Sequence, residues 1–386
     1  MGKLDRYSCQ SIDDADINSV VGVLRSDFLT QGPMVSEFEA SMTDITKAAH
    51  ACAVSSATAA LHIGLAGLGV KKGDHVWTTP NTFVATVNAA RYCEATVSLI
   101  DINQETYNLD LSTLERKLAT TADPNLLPKV IIPVHFGGNP VDSERLSALA
   151  TKYGFKILED ASHALGSANT KEIVGQCNFS DAAVFSFHPV KPLTSGEGGV
   201  ITTNSADLHQ NFCQLRSHGI VRDPQESPDG LLPPELYYQQ TQMGWNYRLS
   251  DIHAALGNSQ LNKLTSTVAH RQQLRDRYLE ELRSSSVQFQ TIEEETLSSN
   301  HLMIAQFETC VQRNQVYKAL KAAGIGSSFH YIPVYRHPIH SSLGNPEDFP
   351  IMEHYYATAL TLPLHVKLSE SDIIKAATII KGALIL

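Results

Sequence analysis

Short apolar segments alternate with helical patterns along the first half of the chain. Many of these segments are apolar throughout, as is typical of strands that are covered on both faces of a sheet. The segments lie at residues 51–55, 76–79, 97–101, 130–135, 156–160, 182–187 and 200–204. Patterns of helical period separate most of them, for example at 58–70 and 142–153. The alternation predicts an α/β fold, with a mostly parallel sheet between two helical layers.

The pattern changes after about residue 245. Apolar residues at helical spacing predict one long helix over 251–282, and further segments predict a smaller α+β region. The later strands are predicted at 287–290, 302–307 and 327–332, and the later helices at 315–323 and 369–384. We therefore predict a large domain over 1–250, followed by a linking helix and a small C-terminal domain over 251–386.

Composition excludes several classes of protein. The 386 residues carry a net charge of −10 with no run of lysine or arginine, so a nucleic-acid partner is not expected. No apolar run reaches the ~18 residues that a membrane span needs, and the first residues lack the apolar core of a signal peptide. Six scattered cysteines without a CxxC pair favour reduced thiols. We expect a cytoplasmic protein without a membrane partner.

A single lysine follows the predicted strand at 182–187. Lys191 lies in a short turn that leads into a glycine-rich loop at 196–199. Lysine forms Schiff bases when burial or a nearby cation lowers its pKa, and the Ser186 hydroxyl, five residues earlier, suits a phosphate. The alternative is an ordinary solvated surface lysine.

A carboxylate ends the predicted strand at 156–160. Ligands of open α/β sheets bind outside the carboxyl ends of the strands, where we expect both Asp160 and Lys191. This pair is what pyridoxal 5′-phosphate (PLP) needs, because lysine holds the cofactor as an imine and aspartate keeps its ring nitrogen protonated. Asp160 as a simple helix N-cap is the alternative, which the presence of Lys191 disfavours.

Two further segments fit the same cofactor. A predicted strand-to-helix turn at 55–60 offers Thr58 and the backbone of 57–58 to a phosphate, although Ser56 as a simple N-cap explains the turn equally well. Phe83 follows the strand at 76–79, where it could stack on a pyridine ring or belong to the core. The histidines at 330, 337 and 340 match no standard ligand spacing, so no metal is expected.

Several motifs together resemble the DegT/DnrJ/StrS sugar aminotransferases. They occur in the family's order at residues 56–62, 81–86, 101–110, 133–138, 159–166, 186–191, 216–220 and 245–257. The resemblance implies a PLP-dependent transferase of fold type I, built like aspartate aminotransferase. Segments at 26–33, 298–302 and 330–335 resemble the branch that acts in pseudaminic acid synthesis. That branch implies a UDP-linked 4-keto-6-deoxy-N-acetylhexosamine as substrate and glutamate as amino donor.

The resemblance also implies a role for individual residues. Lys191 and Asp160 match the catalytic pair of the family. Residues matching cofactor contacts are Phe83, His163, Ala57, Thr58, Ser186 and Asn246. Residues matching the sugar-nucleotide cleft are Tyr7, Asp27, Phe28, Leu29, Thr30, Phe329, His330 and Tyr331. Because Asn246 matches a residue that reaches the phosphate of a second subunit, a homodimer is the expected working unit.

Three other functions fit parts of the pattern. An aminotransferase for another nucleotide 4-keto sugar, of the perosamine or viosamine type, is distinguished only by the segments at 27–33 and 298–301. Sugar dehydratases of the same fold have histidine at the position that matches Lys191, so the lysine argues against a dehydratase. A non-catalytic regulator that binds a nucleotide sugar has no need of Lys191 and Asp160 together.

Overall fold

A seven-stranded sheet forms the centre of the computed structural model, which describes residues 4–222, 227 and 230–384. Its strands are β1 (His50–Val54), β2 (His75–Thr78), β3 (Thr96–Leu99), β4 (Val130–Ile131), β5 (Lys156–Asp160), β6 (Ala182–Ser186) and β7 (Gly199–Thr203). Each lies where the apolar pattern predicts a strand. The strand order is β1-β7-β6-β5-β4-β2-β3, and only β7 runs against its neighbours. The carboxyl ends of the other strands therefore meet at one edge.

Helices cover both faces of this sheet. Those within the first 261 residues are α1 (Asp14–Leu24), α2 (Pro33–Thr46), α3 (Ala57–Gly67), α4 (Val84–Tyr92), α5 (Leu111–Thr120), α6 (Ser143–Tyr153), α7 (Ala206–Leu215) and α8 (Asp251–Leu261). Alternate residues of β6 serve two separate cores. Ala182 and Val184 pack with α3 and α4, whereas Ala183 and Phe185 pack with α2 and α8. The three-layer prediction is confirmed.

A second, smaller sheet follows in the chain. Its strands are β10 (Gln288–Phe289), β11 (Met303–Gln306) and β12 (Ala359–Leu362), and an antiparallel pair, β8 (Ile220–Val221) and β9 (Gln239–Gln240), precedes it. The remaining helices are α9 (Leu264–Leu282), α10 (Cys310–Ala322), α11 (Pro350–Thr358) and α12 (Glu370–Leu384). Leu4 joins α9, α10 and α12 in one apolar core. The division at residue 250 stays a prediction.

Two predicted elements differ in the structure. The long helix over 251–282 is two helices, because α8 packs on α1 and α2 whereas α9 packs on α12. At the break, Lys263 Nζ lies 2.6 Å from Asp16 Oδ2 of α1. No strand spans 327–332, where Ser328 makes only an isolated bridge to Thr361. The chain leaves the small sheet there, and the Tyr331 N–H donates to Asn81 Oδ1 instead.

The N-terminal arm, residues 4–8, connects several parts of the fold. The Gly326 N–H donates to the Leu4 carbonyl at 2.6 Å, and the Leu364 N–H donates to the Tyr7 carbonyl at 2.9 Å. The Ser8 hydroxyl donates to the Val190 carbonyl at 2.8 Å. The arm thus bridges the small sheet and the turn that carries the candidate lysine. Over the described ranges, no helix is both long and apolar enough to cross a bilayer.

Candidate active site

A cavity of about 350 Å³ opens at the edge where the carboxyl ends of the strands meet. Ten of the residues that sequence analysis singles out line it: Tyr7, Ala57, Thr58, Phe83, Asp160, His163, Ser186, Lys191, His330 and Tyr331. The strands explain the convergence, because β5 ends at Asp160, β6 ends at Ser186 and the turn after β1 begins α3 at Ala57.

The loop from β6 to β7 carries the lysine into the cavity. The Lys191 N–H donates to the His188 carbonyl at 2.9 Å, which closes a tight turn. The Ser8 hydroxyl, which lies outside the loop, donates a hydrogen bond to the neighbouring Val190 carbonyl. Burial lowers the Lys191 pKa to about 8, although the nearby Asp160 carboxylate opposes this shift. The surface-lysine alternative is therefore disfavoured.

Hydroxyl and amide donors hold the Asp160 carboxylate in place. The Thr86 hydroxyl donates to Oδ2 at 2.7 Å, and the Ser162 N–H donates to Oδ1 at 3.1 Å. Because Thr86 gives its hydrogen to Asp160, the Thr82 hydroxyl, 2.7 Å away, is the donor to Thr86. Thr86 was not among the predicted site residues, and its only signal in the sequence is its spacing of four residues from Thr82 across the start of α4.

The start of α3 forms an anion-binding turn. Ser56 caps the helix, since its hydroxyl accepts from the Ala59 N–H at 3.1 Å. The cap leaves the N–H groups of Ala57 and Thr58 without a partner inside the helix, so capping and phosphate binding are compatible at this turn. A Cβ at Gly199 would lie 2.4 Å from the Ser56 carbonyl carbon. Glycine therefore lets β7 approach the turn closely.

Aromatic rings border the cavity between these polar groups. Phe83 is 58% exposed, so the alternative of a core phenylalanine is wrong. Its ring lies 5.9 Å from the Tyr331 ring, and the His163 ring lies at the same distance from Tyr331 on another side. Burial holds the pKa of His163 well below its usual range, and Lys191 lowers it further. The imidazole is therefore neutral. The structure offers an exposed aromatic face and a neutral ring beside the lysine.

Other predicted residues do not line this cavity within one chain. Asp27, Phe28, Leu29, Thr30, Phe329 and Asn246 lie outside it. Phe28 and Leu29 are about half exposed, near the start of α8, where the Asp251 N–H donates to the Leu29 carbonyl. Phe329 packs against Tyr355 and Tyr356. Asn246 is exposed.

The three C-terminal histidines have separate surroundings. His330 Nδ1 pairs with the Thr361 hydroxyl at 2.8 Å, whereas His340 Nδ1 accepts from Arg91 Nη1 at 2.9 Å. In the part of the chain that the structure describes, no group of three or more histidine, cysteine or acidic side chains could hold a metal ion.

Several known proteins are similar to this chain in sequence and in fold. The model of the DegT/DnrJ/EryC1/StrS aminotransferase family matches residues 10–381. A UDP-4-amino-4,6-dideoxy-N-acetyl-β-L-altrosamine transaminase of Campylobacter jejuni subsp. jejuni is 37% identical over 370 residues, which cover 95% of this chain and 94% of that protein. Helicobacter pylori PseC, an aminotransferase involved in the biosynthesis of pseudaminic acid, has a TM-score of 0.88 at 29% identity and covers 98% of both chains.

A third similar protein bears on the cofactor. Spr1654 from Streptococcus pneumoniae has a TM-score of 0.88 in its PMP form, at 29% identity over 98% of this chain and 99% of that one. The same protein is also known in a PLP form, with a TM-score of 0.87.

Proposed function

Because this chain belongs to the DegT/DnrJ/EryC1/StrS aminotransferase family, we propose that it aminates a UDP-linked 4-keto-6-deoxy-N-acetylhexosamine, with glutamate as amino donor, in pseudaminic acid biosynthesis. The chain is a PLP-dependent sugar aminotransferase of fold type I. The observation that carries the finer proposal is the 37% identity, over nearly the full length, with a transaminase for the altrosamine sugar.

The residues around the cavity fit PLP. The cofactor has an aldehyde, a ring nitrogen and a phosphate, and the cavity provides an amine, a carboxylate and a helix N-terminus for these groups. Asp160 keeps its carboxylate oriented through Thr86 and Ser162, so an acceptor is ready for a ring N–H. When bound, PLP supplies an aldehyde for amine exchange and a ring that takes up negative charge.

We assign roles to the chain's own residues on this basis. Lys191 would anchor the cofactor and, when not bonded to it, would act as general base toward the donor and as general acid toward the sugar. Asp160 holds the proton on the ring nitrogen. Ala57, Thr58 and Ser186 bind the phosphate through two N–H groups and a hydroxyl. Phe83 and His163, which both line the cavity, would contact the cofactor ring.

The Lys191 pKa of about 8 predicts how cofactor uptake depends on pH. Only the neutral amine attacks an aldehyde, so the association rate of PLP should rise about tenfold per pH unit below that pKa and level off above it. Stopped-flow absorbance with the cofactor-free enzyme measures this rate. Pyridoxine 5′-phosphate lacks the aldehyde and serves as the control, since its binding should not follow the Lys191 pKa. A PLP profile with its midpoint near the ordinary lysine value of about 10.4 would contradict the assignment.

The sugar itself requires a direct assay. The enzyme is incubated with glutamate and each C5 epimer of the UDP-linked 4-keto sugar, and the configuration at C4 of the product is determined by NMR. We expect turnover of the β-L-arabino epimer and formation of the altrosamine product. Preference for another nucleotide 4-keto sugar, of the perosamine or viosamine type, would refute this substrate while leaving the aminotransferase activity intact.

A homodimer with shared active sites is part of the proposal. Asn246 is exposed and does not line the cavity of its own chain. Five large apolar side chains that precede it in the chain are also exposed: Leu231, Leu232, Leu236, Tyr238 and Met243. Apolar side chains that cluster on a protein surface mark sites of association. We infer that this segment meets a second copy and brings Asn246 to the phosphate of the partner site.

Mixing two inactive variants tests whether Asn246 acts across the interface. Lys191→Ala lacks the lysine, and Asn246→Asp places a negative charge beside the phosphate. If Asn246 serves the partner, each mixed dimer contains one intact site, and an equimolar mixture that exchanges subunits should regain about a quarter of wild-type activity. Activity is measured before and after subunit exchange, with each variant alone as control. No recovery, despite exchange detected by mass spectrometry, would place Asn246 in its own chain's site, and activity of Asn246→Asp alone would place it outside both.

A further inference from the structure

The Tyr331 hydroxyl lies at the wall of the cavity within a short hydrogen-bonded chain. The Gly137 N–H lies 3.2 Å from His163 Nδ1, and His163 Nε2 lies 3.0 Å from the Tyr331 hydroxyl oxygen. Tyr331 and His163 both line the cavity, beside Lys191 and Asp160. Across the described residues, the Tyr331 hydroxyl has no other hydrogen-bond partner.

The donors and acceptors in this series of hydrogen bonds fix the direction of each bond. A backbone N–H can only donate, so Nδ1 of His163 must accept and the imidazole proton lies on Nε2. His163 cannot carry a second proton, since burial and the neighbouring Lys191 lower its pKa well below its usual range. The His301 ring packs 4.5 Å from the His163 ring and is itself buried, which keeps water away from that side.

The consequence falls on Tyr331. Its oxygen accepts from His163 Nε2, so its own hydrogen is not used in that bond and is free to point into the cavity. Deprotonation of the hydroxyl is disfavoured, since burial raises the pKa of Tyr331 and the Asp160 carboxylate raises it further. The wall of the cavity therefore presents a neutral hydrogen-bond donor at this point.

We propose that the Tyr331 hydroxyl donates to the C4 keto oxygen of the sugar substrate and thereby favours the keto substrate over the amino product. The proposal rests on the function proposed above. A keto oxygen is an acceptor and matches this donor. An ammonium group is a donor only, so the product leaves the hydroxyl without its acceptor, which a buried polar site penalises. Tyr331 thus distinguishes the two forms of one sugar at the atom that the reaction changes.

Tyr331→Phe tests the proposal, since it removes the hydroxyl and keeps the ring. We use the pyridoxamine-phosphate form of the holoenzyme and measure the keto-sugar concentration that gives half the maximal single-turnover rate. This concentration should rise about three- to tenfold, which corresponds to the loss of one hydrogen bond. Calorimetry should give an unchanged affinity for the amino sugar and for UDP. Unchanged visible absorbance of the PLP form would show that the cofactor does not use this hydroxyl.

Two His163 variants test the orientation of the hydroxyl. The side-chain amide of His163→Gln can accept from Gly137 and donate to Tyr331, so it should retain the preference for the keto form, whereas His163→Leu should lose it as Tyr331→Phe does. Equal loss of keto and amino affinity would overturn the proposal, because it would show that Tyr331 only packs. A shifted absorbance spectrum of Tyr331→Phe would also overturn it by assigning the hydroxyl to the cofactor. Turnover by the wild-type enzyme reports on the proposed substrate separately, and the comparison of variants uses the keto and amino forms of the sugar that the wild type accepts.

Discussion

Replacing Lys191 with alanine should lower turnover at least about a thousandfold, because the proposed mechanism uses this one side chain for both the covalent anchor and the proton transfer. The fold should persist, since the turn is held by backbone bonds at Lys191 and Val190 that the side chain does not make. The visible absorbance of lysine-bound PLP should disappear, while the phosphate-binding turn still retains the cofactor. Single-turnover kinetics with glutamate, absorbance spectra and thermal denaturation measure these three effects.

Two comparisons separate chemistry from packing at this position. Lys191→Arg keeps a cation in the cavity but offers no amine that condenses with an aldehyde, so it should be as inactive as the alanine variant. A small added amine such as ethylamine should restore part of the proton transfer in Lys191→Ala and none in Lys191→Arg, where the space is filled. Turnover by Lys191→Ala within tenfold of the wild type would remove Lys191 from the mechanism.

Asp160→Asn should have the second largest effect, lowering turnover by at least about a hundredfold. Asparagine has nearly the same shape but no charge, so it cannot hold a proton on the ring nitrogen of the cofactor. It also turns an amide toward one of the two donors, the Thr86 hydroxyl or the Ser162 N–H, that now bond to the carboxylate. Cofactor content should remain near one per chain, because the phosphate contacts are unaffected. Single-turnover absorbance with glutamate measures the loss.

Glu159→Gln is the matched control for this change. Glu159 precedes Asp160 on β5, but its side chain faces the other side of the sheet, where it lies 3.2 Å from His135 Nε2. The same loss of charge there should leave turnover near the wild-type value at temperatures where the variant is folded. Equal losses in both variants would mean that Asp160 acts on the stability of the sheet rather than on the cofactor.

The apolar pattern was sufficient to predict the large sheet, because short apolar runs that alternate with helical patterns are typical of strands covered on both faces. The same strands bring Asp160 and Lys191 to one cavity, so their convergence could be predicted as well, while their chemical roles stay a prediction. The break between α8 and α9 had no such signal. No proline or glycine lies at residues 262–263, and the break comes from packing against different helices, which are distant in sequence.

The strand that was predicted at 327–332 but does not form, and the unpredicted role of Thr86, have a related cause. Residues 327–332 have a strand-like composition, yet the chain there reaches across to Asn81 and the cavity instead of pairing along its length. Thr86 is an ordinary helix residue until β5 places Asp160 beside it. Both depend on contacts between segments far apart in sequence, which local patterns do not encode.

The N-terminal arm imposes an order of assembly on the enzyme. Residues 4–8 leave the ribosome long before Gly326 and Leu364, to which they bond. The same arm donates the Ser8 hydroxyl to the turn that carries Lys191. A nascent chain can therefore complete its large sheet early in synthesis, whereas the arm that contacts this turn gains its other partners only when the later residues have been made.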